Sequence, residues 1–456
     1  MLRKVLTFGL PLALGMASHA AFNLIDLLVV GRLGENAVAA VHNGGAINFL
    51  PMVLGNGISI GAVAVLSQLM GEGDKHRARQ VANFSLALML FLGLLLGIAF
   101  YLAALPALRF LKASGESLRD GTGYLEVLSL GTFTMFLLMH VTGVLRSIGN
   151  ARWPVTLLVG SNLLNLLLDI ILIFGWEALG IPRMGVLGAA WATVLARGAG
   201  ALVGLLVLAR RENPIRIGLG LPRNKAAVAF RIGGLGTIQS TQMLVRAAIV
   251  ITLTRIAGQI GGASAQAAIG VGTRLDTFVL FGAIGWASGA TVMVGQSLGR
   301  REVLRCARVA WTSAGLASGF GLAAGILFAL FSAPLLAFFV PDASPELLSH
   351  GGIYLGIMAA TYPAASASLV LAGSLNGAGK SFLPMMLDLL VLGLLLQPAL
   401  WVWQSLGARG ELPVSWLQVL IAYWILLVAY FAWMRSSIWV PSHPASAKLS
   451  GEGEAV

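Results

Sequence analysis

Two aspartates, Asp26 and Asp169, lie inside stretches otherwise apolar enough to cross a bilayer. An ionised carboxylate at the centre of a membrane costs about 3 kcal/mol on the milder scales and more on others, so an acid kept there is paired or functional. Each brings polar company at helical spacing. His19, Asn23 and Asp26 fall at i, i+4 and i+7, on one helical face; Asn162, Asn165 and Asp169 fall at i, i+3 and i+7 on another. Low dielectric disfavours a bare carboxylate, which then takes a proton or a hard cation such as sodium through oxygen ligands. Two acids facing one cavity titrate as a pair. The same faces would also serve as interhelical hydrogen-bonding glue, and the residue types allow both roles.

Other polar residues sit in comparable settings. Thr193, in the small-residue run GAAWATV, offers a hydroxyl, although a mid-helix Thr commonly bonds its own backbone. Arg197, one turn on, neutralises an acid or snorkels. Arg246, Arg274, Asp276 and Asp388 lie in or beside later apolar stretches and read as a structural ion-pair network, with substrate contact as the rival role. Gln242 precedes Arg246 by one turn. Met135, Phe136 and Met139, then Met358 and Tyr362, suit an adaptable cavity wall or ordinary packing. An intramembrane enzyme would need a nucleophile–base or metal constellation, whereas His19, His42 and His140 are scattered and Cys306 stands alone. No enzyme, metal centre or organic cofactor is expected.

The elements that must position these residues are membrane helices. The chain has 456 residues, 57% hydrophobic and 11% charged, with a mean hydropathy of +0.87. That composition excludes a soluble domain. A spanning helix needs about 20 mostly apolar residues, and the sequence predicts an all-α polytopic protein with twelve spans at roughly 4–31, 38–70, 80–105, 120–147, 153–175, 185–209, 227–255, 263–298, 304–332, 347–373, 382–404 and 414–435.

The net charge of +12 points away from nucleic acid once it is mapped. With the N-terminus inside, 20 of the 30 Lys and Arg fall on the cytoplasmic side and seven opposite. By the positive-inside rule both termini are then cytoplasmic. One cysteine excludes an internal disulfide. No cleavable signal is expected, because the first apolar stretch is too long for one and opens a repeated unit.

The repeat is legible at a fixed offset. At 228 residues, Gly44 meets Gly272, Gly57 meets Gly285, Gly61 meets Gly289, Gln68 meets Gln296 and Arg77 meets Arg305. At 230, Tyr124 meets Tyr354, Gly149 meets Gly379 and Pro154 meets Pro384. Six spans per half keep both halves in one orientation, a parallel repeat. The expected organisation is an N-lobe over 1–209, a cytoplasmic linker over 210–226, a C-lobe over 227–436 and a disordered tail over 437–456. The linker, RRENPIRIGLGLPRNK, reads as a flexible tether. The second half has no acid opposite Asp26 or Asp169: an offset of 223 sets Ile249 against Asp26, and 230 sets Ala399 against Asp169.

These segments resemble a known family. Pro11 and Asp26 are followed by LLVVGRLGENAVAA; span 2 ends GISIGAVAVLSQLMGEGD; span 5 reads SNLLNLLLDIILIFG and leads to MGVLGAAWATVLAR. Together they look like the multidrug and toxic compound extrusion antiporters, over about residues 1–436. The resemblance, nearest the prokaryotic DNA-damage-inducible F-like branch, implies a V-shaped twelve-helix exporter with a cation site in the N-lobe. Asp26, Asn165, Asp169 and Thr193 match that site, for a proton or sodium, and Pro11 matches the proline at which span 1 bends. It further implies a monomer of the prokaryotic inner membrane, exchanging amphipathic or cationic compounds for protons or sodium among membrane lipids. Asn23, His19, Met139, Tyr362, Gln242, Arg246, Arg274 and Asp276 are the candidate substrate-cavity residues. The acids that a sodium-driven branch carries on spans 7 and 10 are absent. Arg246 and Arg274 leave room for a second reading, a flippase of lipid-linked or polysaccharide precursors.

Overall fold

Glycine-spaced apolar runs become long helices. The computed structural model describes residues 1–111, 114–218, 220–340, 343–405 and 411–435, without the side chains of Asn23, Leu27, Glu35, Leu179 and Ala263. The expected tail over 437–456 lies outside them. The first half forms α1 (Leu2–Gly31), α2 (Glu35–Glu72), α3 (Lys75–Phe110), α4 (Gly115–Leu130), α5 (Thr132–Ser147), α6 (Arg152–Phe174) and α7 (Val186–Ala209). The second forms α8 (Lys225–Ile260), α9 (Gly262–Gly299), α10 (Val303–Leu330), α11 (Ser332–Phe339), α12 (Pro345–Gly377), α13 (Phe382–Asp388), a π-helical segment (Leu389–Leu396), α14 (Gln397–Ser405) and α15 (Leu412–Arg435). Eleven helical stretches are long and apolar enough to span a membrane, and α4 with α5, bent by 46° at Gly131, makes a twelfth. Among the described residues there is no β-strand, only a bridge between Trp176 and Ile181.

Contacts divide the chain into two units. One comprises Met1–Ala17 with the described chain from Thr241 onward, the other Ser18–Ser240. Both cuts fall inside helices, α1 and α8. Thr241 follows Ser18 by 223 residues, the spacing that also relates Arg32 to Arg255. Each half of the duplication thus lends the opening turns of its first helix to the other unit.

Repeated glycines make repeated contacts. In the first-half unit, Gly57 and Gly61 of α2 take the opening turns of α8 against their backbone. A Cβ on Gly57 would collide with the Gly236 carbonyl, and one on Gly61 would lie 2.6 Å from the Ile232 oxygen. In the other unit Gly285, the counterpart of Gly57, takes α1 in the same way, with a Cβ 2.5 Å from the Leu12 oxygen. Gly44 lies under the Tyr124 ring and its counterpart Gly272 under Tyr354. No larger residue fits, so the duplication is conserved in packing as well as in sequence.

The linker is not the free tether that its composition suggests. Ile215 is fully buried, and Ile217 packs beside it on the core of the first-half unit. Asn83 of α3 holds the following turn as a strand partner would: it accepts from the Gly218 N–H (3.1 Å) and donates to the Gly220 carbonyl (3.0 Å). Two apolar residues and one amide pin a segment that six nearby basic and acidic side chains make look solvated.

One position breaks the repeat at a measurable cost. Gly73 closes α2 in the left-handed region (φ 82°), and its counterpart at 228 residues, Arg301, adopts the same conformation (φ 62°) with a side chain. It is the one non-glycine residue with positive φ among those described. A left-handed non-glycine residue is strained by about 1–3 kcal/mol. Arg301→Gly is therefore expected to raise the thermal unfolding midpoint of the purified protein, and Gly73→Arg to lower it; unchanged midpoints in both would contradict the assignment of strain.

Candidate cation site

The site lies within the first-half unit, where α1, α6 and α7 meet. The turn between α6 and α7 fixes its geometry. The Met184 and Gly185 N–H groups donate to the Leu172 and Ile173 carbonyls (3.0 and 3.1 Å), so the start of α7 caps the end of α6. A Cβ on Gly188 would lie 2.6 Å from the Leu172 carbonyl, which is why α7 carries glycine at this approach. This pairing holds Asp169 of α6 beside Thr193 of α7. The α1 face carrying His19 and Asp26 closes the third side.

A cavity of about 380 Å³ results, lined by His19, Asp26, Asn48, Tyr124, Ser161, Asn162, Asn165, Asp169, Thr193 and Arg197 among apolar neighbours. Asp169 is buried, 2% exposed. Asp26 and Asp169 both line this cavity, so two carboxyl groups share one space out of water. Asn165 connects the remaining parts. With its amide turned so that both ends find partners, it donates to Asp26 Oδ2 (3.0 Å) and accepts from the Thr193 N–H (3.3 Å). In the opposite orientation its oxygen faces Asp26 Oδ2, an arrangement that a cation between them would reconcile. The Thr193 hydroxyl donates to the Ala189 carbonyl (3.0 Å), leaving its lone pairs free to accept. His19 Nδ1 donates to Asn162 Oδ1 (3.0 Å).

The site is incompletely satisfied. Oδ1 of Asp26, Oδ1 of Asp169, Oγ of Ser161 and Nδ2 of Asn162 are buried without a hydrogen-bond partner among the described residues. A buried polar group without a partner costs about 1–3 kcal/mol, and more if charged. All four atoms belong to residues that line this one cavity.

The other candidate residues are dispersed. Met139 packs on the cluster of Met89, Met135 and Phe136 and does not line the cavity. The Asn23 side chain lies outside the described residues. Pro11 is inside α1, in the segment that belongs to the other unit. Tyr362 and Tyr354 donate to Asp276 (2.6 and 2.5 Å). Arg246 forms a forked pair with Asp388, Nε to Oδ2 at 2.8 Å and Nη2 to Oδ1 at 3.1 Å, with the Tyr430 hydroxyl on Oδ1 at 3.4 Å. Asp388 ends α13, where the π-helical segment begins. Gln242 is buried with both amide atoms unpartnered among the described residues. Arg274 is exposed on α9.

Sequence reasoning did not single out Tyr124 or Asn48 as cavity residues. The repeat held the signal: their counterparts, Tyr354 and Asp276, are hydrogen-bonded to each other. One string matches a catalytic pattern without its geometry. Gly57-Ile58-Ser59-Ile60-Gly61 fits the GxSxG string of serine hydrolases. It lies in the middle of α2 rather than on a strand-to-helix turn, and the Ser59 hydroxyl donates to the Met139 carbonyl (3.1 Å).

A duplicated, all-helical membrane protein with polar centres buried in its spans belongs among the transporters. The chain is a member of the MatE family, whose model matches it twice, over residues 11–171 and 240–401. It is 26% identical over 442 residues to a probable multidrug resistance protein NorM of Thermotoga maritima, covering 94% of this chain and 89% of that protein. It is 26% identical over 400 residues to a FAD transporter of Shewanella oneidensis, covering 87% and 86%. Its fold matches, at a TM-score of 0.88 and 23% identity over 95% of each chain, a multidrug resistance MATE family transporter of the MOP superfamily in an outward-facing conformation.

The Arg246–Asp388 pair supplies a direct test of what the second unit's charges do. Removing one partner of a buried pair costs about 3–5 kcal/mol, whereas replacing both by apolar residues is often neutral. Arg246→Met is expected to lower the unfolding midpoint sharply, and Arg246→Met with Asp388→Leu to restore most of it; leucine already stands at the counterpart, Leu158. A double variant no more stable than the single one would contradict a chiefly structural role.

Proposed function

We propose that this transporter is a secondary active exporter of bulky amphipathic or organic-cation compounds, driven by an inward cation gradient. The single observation that supports it most is the Asp26–Asp169 pair, each with a buried oxygen that has no donor, in a cavity also lined by Asn165 and Thr193. A proton or a sodium ion would neutralise the pair, and its departure would restore repulsion between two desolvated acids. That difference is what couples cation binding to shape. Each charge moved across about 100 mV yields roughly 2.3 kcal/mol, to which the cation gradient adds.

In this reading Asn165 serves both ions, by its NH2 for the protonated pair and by its oxygen for sodium. Pro11 removes one backbone hydrogen bond from α1 and lets the helix carrying Asp26 bend. Lobes 1–209 and 227–436 alternate access by rocking, with both termini in the cytoplasm of a prokaryotic inner membrane. The likeness to a probable multidrug resistance protein favours drugs. A precursor flippase would draw on unpaired cationic side chains, and Arg246 already holds its own counter-ion.

The experiment is transport of a cationic dye panel in proteoliposomes, with proton and sodium gradients imposed separately. The wild type should move dye against one of the two, and Asp26→Asn and Asp169→Asn should each abolish gradient-driven movement. Wild-type rates in both variants would sink the mechanism.

A further inference from the structure

The cavity that holds the acid pair also holds a permanent cation. Arg197 of α7 lines the same space as Asp26 and Asp169, four residues and one turn after Thr193. A guanidinium does not lose its proton in proteins. It is not engaged as Arg246 is: among the described residues no carboxylate oxygen lies within 4.0 Å of it, and Nη1 rests on the Met135 sulfur at 3.6 Å. An arginine recruited only to satisfy an acid would sit in a forked pair.

The charges facing the acids can be counted. Besides Arg197, the titratable groups on the cavity wall are His19 of α1 and Tyr124 of α4; α2 and α5 present Asn48 and Leu138, which carry no charge. With His19 and Tyr124 neutral, the ionised acids and Arg197 leave one negative charge. One monovalent cation brings the desolvated cavity to zero, and a second would bring it to plus one. Net charge in low dielectric is what such a space least tolerates.

We propose that Arg197 sets the coupling stoichiometry of this transporter at one cation per cycle, by standing in permanently for the second cation that two acids would otherwise bind. It is a positioning residue that acts through its charge. This inference rests on the reading of Asp26 and Asp169 as the coupling site.

The test uses the full chain in proteoliposomes, with ethidium as the probe and the membrane potential clamped at zero. A tenfold cation gradient then sustains about a tenfold dye gradient for one cation exchanged and about a hundredfold for two. The wild type and Arg197→Lys should sustain about tenfold, and Arg197→Met about a hundredfold. A tenfold gradient in Arg197→Met, or a hundredfold one in the wild type, would overturn the proposal. If Arg197→Met does not transport, calorimetry on the detergent-purified proteins counts the cations bound, with one equivalent expected for the wild type and two for the variant; equal counts overturn it. Should Asp26→Asn and Asp169→Asn keep wild-type coupling, the coupling site itself is wrong. If they lose it while Arg197→Met keeps the wild-type exponent, only the role of Arg197 falls.

Discussion

Two carboxyl groups brought into one cavity out of water are the constraint around which the first-half unit is arranged. Asp169 is held there by helices that have little freedom to separate, and Asp26 by hydrogen bonds between α1 and α6. The α6–α7 turn is capped by main-chain bonds, α7 approaches α6 over Gly188, and Asn165 ties the Asp26 carboxylate to the Thr193 backbone. Left ionised, the acids repel one another and each keeps one buried oxygen without a donor; a bound cation relieves both. The energy difference between these conditions is electrostatic, local and of several kcal/mol in scale. A transporter needs a difference of that size between its loaded and empty states.

The duplication makes the arrangement interpretable, because the second unit has the same frame with other chemistry. By the spacing of the first helices, Gln242 stands where His19 does and Arg246 where Asn23 does, while Ile249 replaces Asp26. By the later spacing Tyr423 stands where Thr193 does and Asp388 where Leu158 does. The second unit therefore buries acids too, but each is already satisfied: Asp388 by Arg246 and Asp276 by two tyrosine hydroxyls. One half of the chain keeps its carboxylates in internal bonds, and the other leaves two oxygens open to a cavity. The conserved glycines at Gly44 and Gly272, or Gly57 and Gly285, belong to the frame common to both.

Much of this could be read from the residues. Apolar length and the even spacing of breaks specify twelve spans, because a helix must satisfy its own backbone in lipid. The i, i+4, i+7 and i, i+3, i+7 faces identify His19, Asp26, Asn162, Asn165 and Asp169 because one element's periodicity is enough to group them. What escaped depends on several elements at once. Tyr124 reaches the cavity from α4, an element that no periodicity within α1, α6 or α7 could reveal. Met139, next to the wall residue Leu138, turns into the methionine cluster instead. The linker looked solvated by charge count, yet Ile215 and the Asn83 amide hold it. Arg301 adopts a glycine's conformation that no propensity rule would assign to arginine.

The central claim is that Asp26 and Asp169 together hold one cation. Infrared difference spectroscopy of the purified protein at neutral pH, in sodium-free buffer, reads it most directly through the carbonyl stretch of protonated carboxyl groups. The account predicts a single protonated carboxyl that exchanges with solvent and whose band either Asp26→Asn or Asp169→Asn alters. A band indifferent to both substitutions, or two protonated carboxyls lost independently with the two, would contradict it.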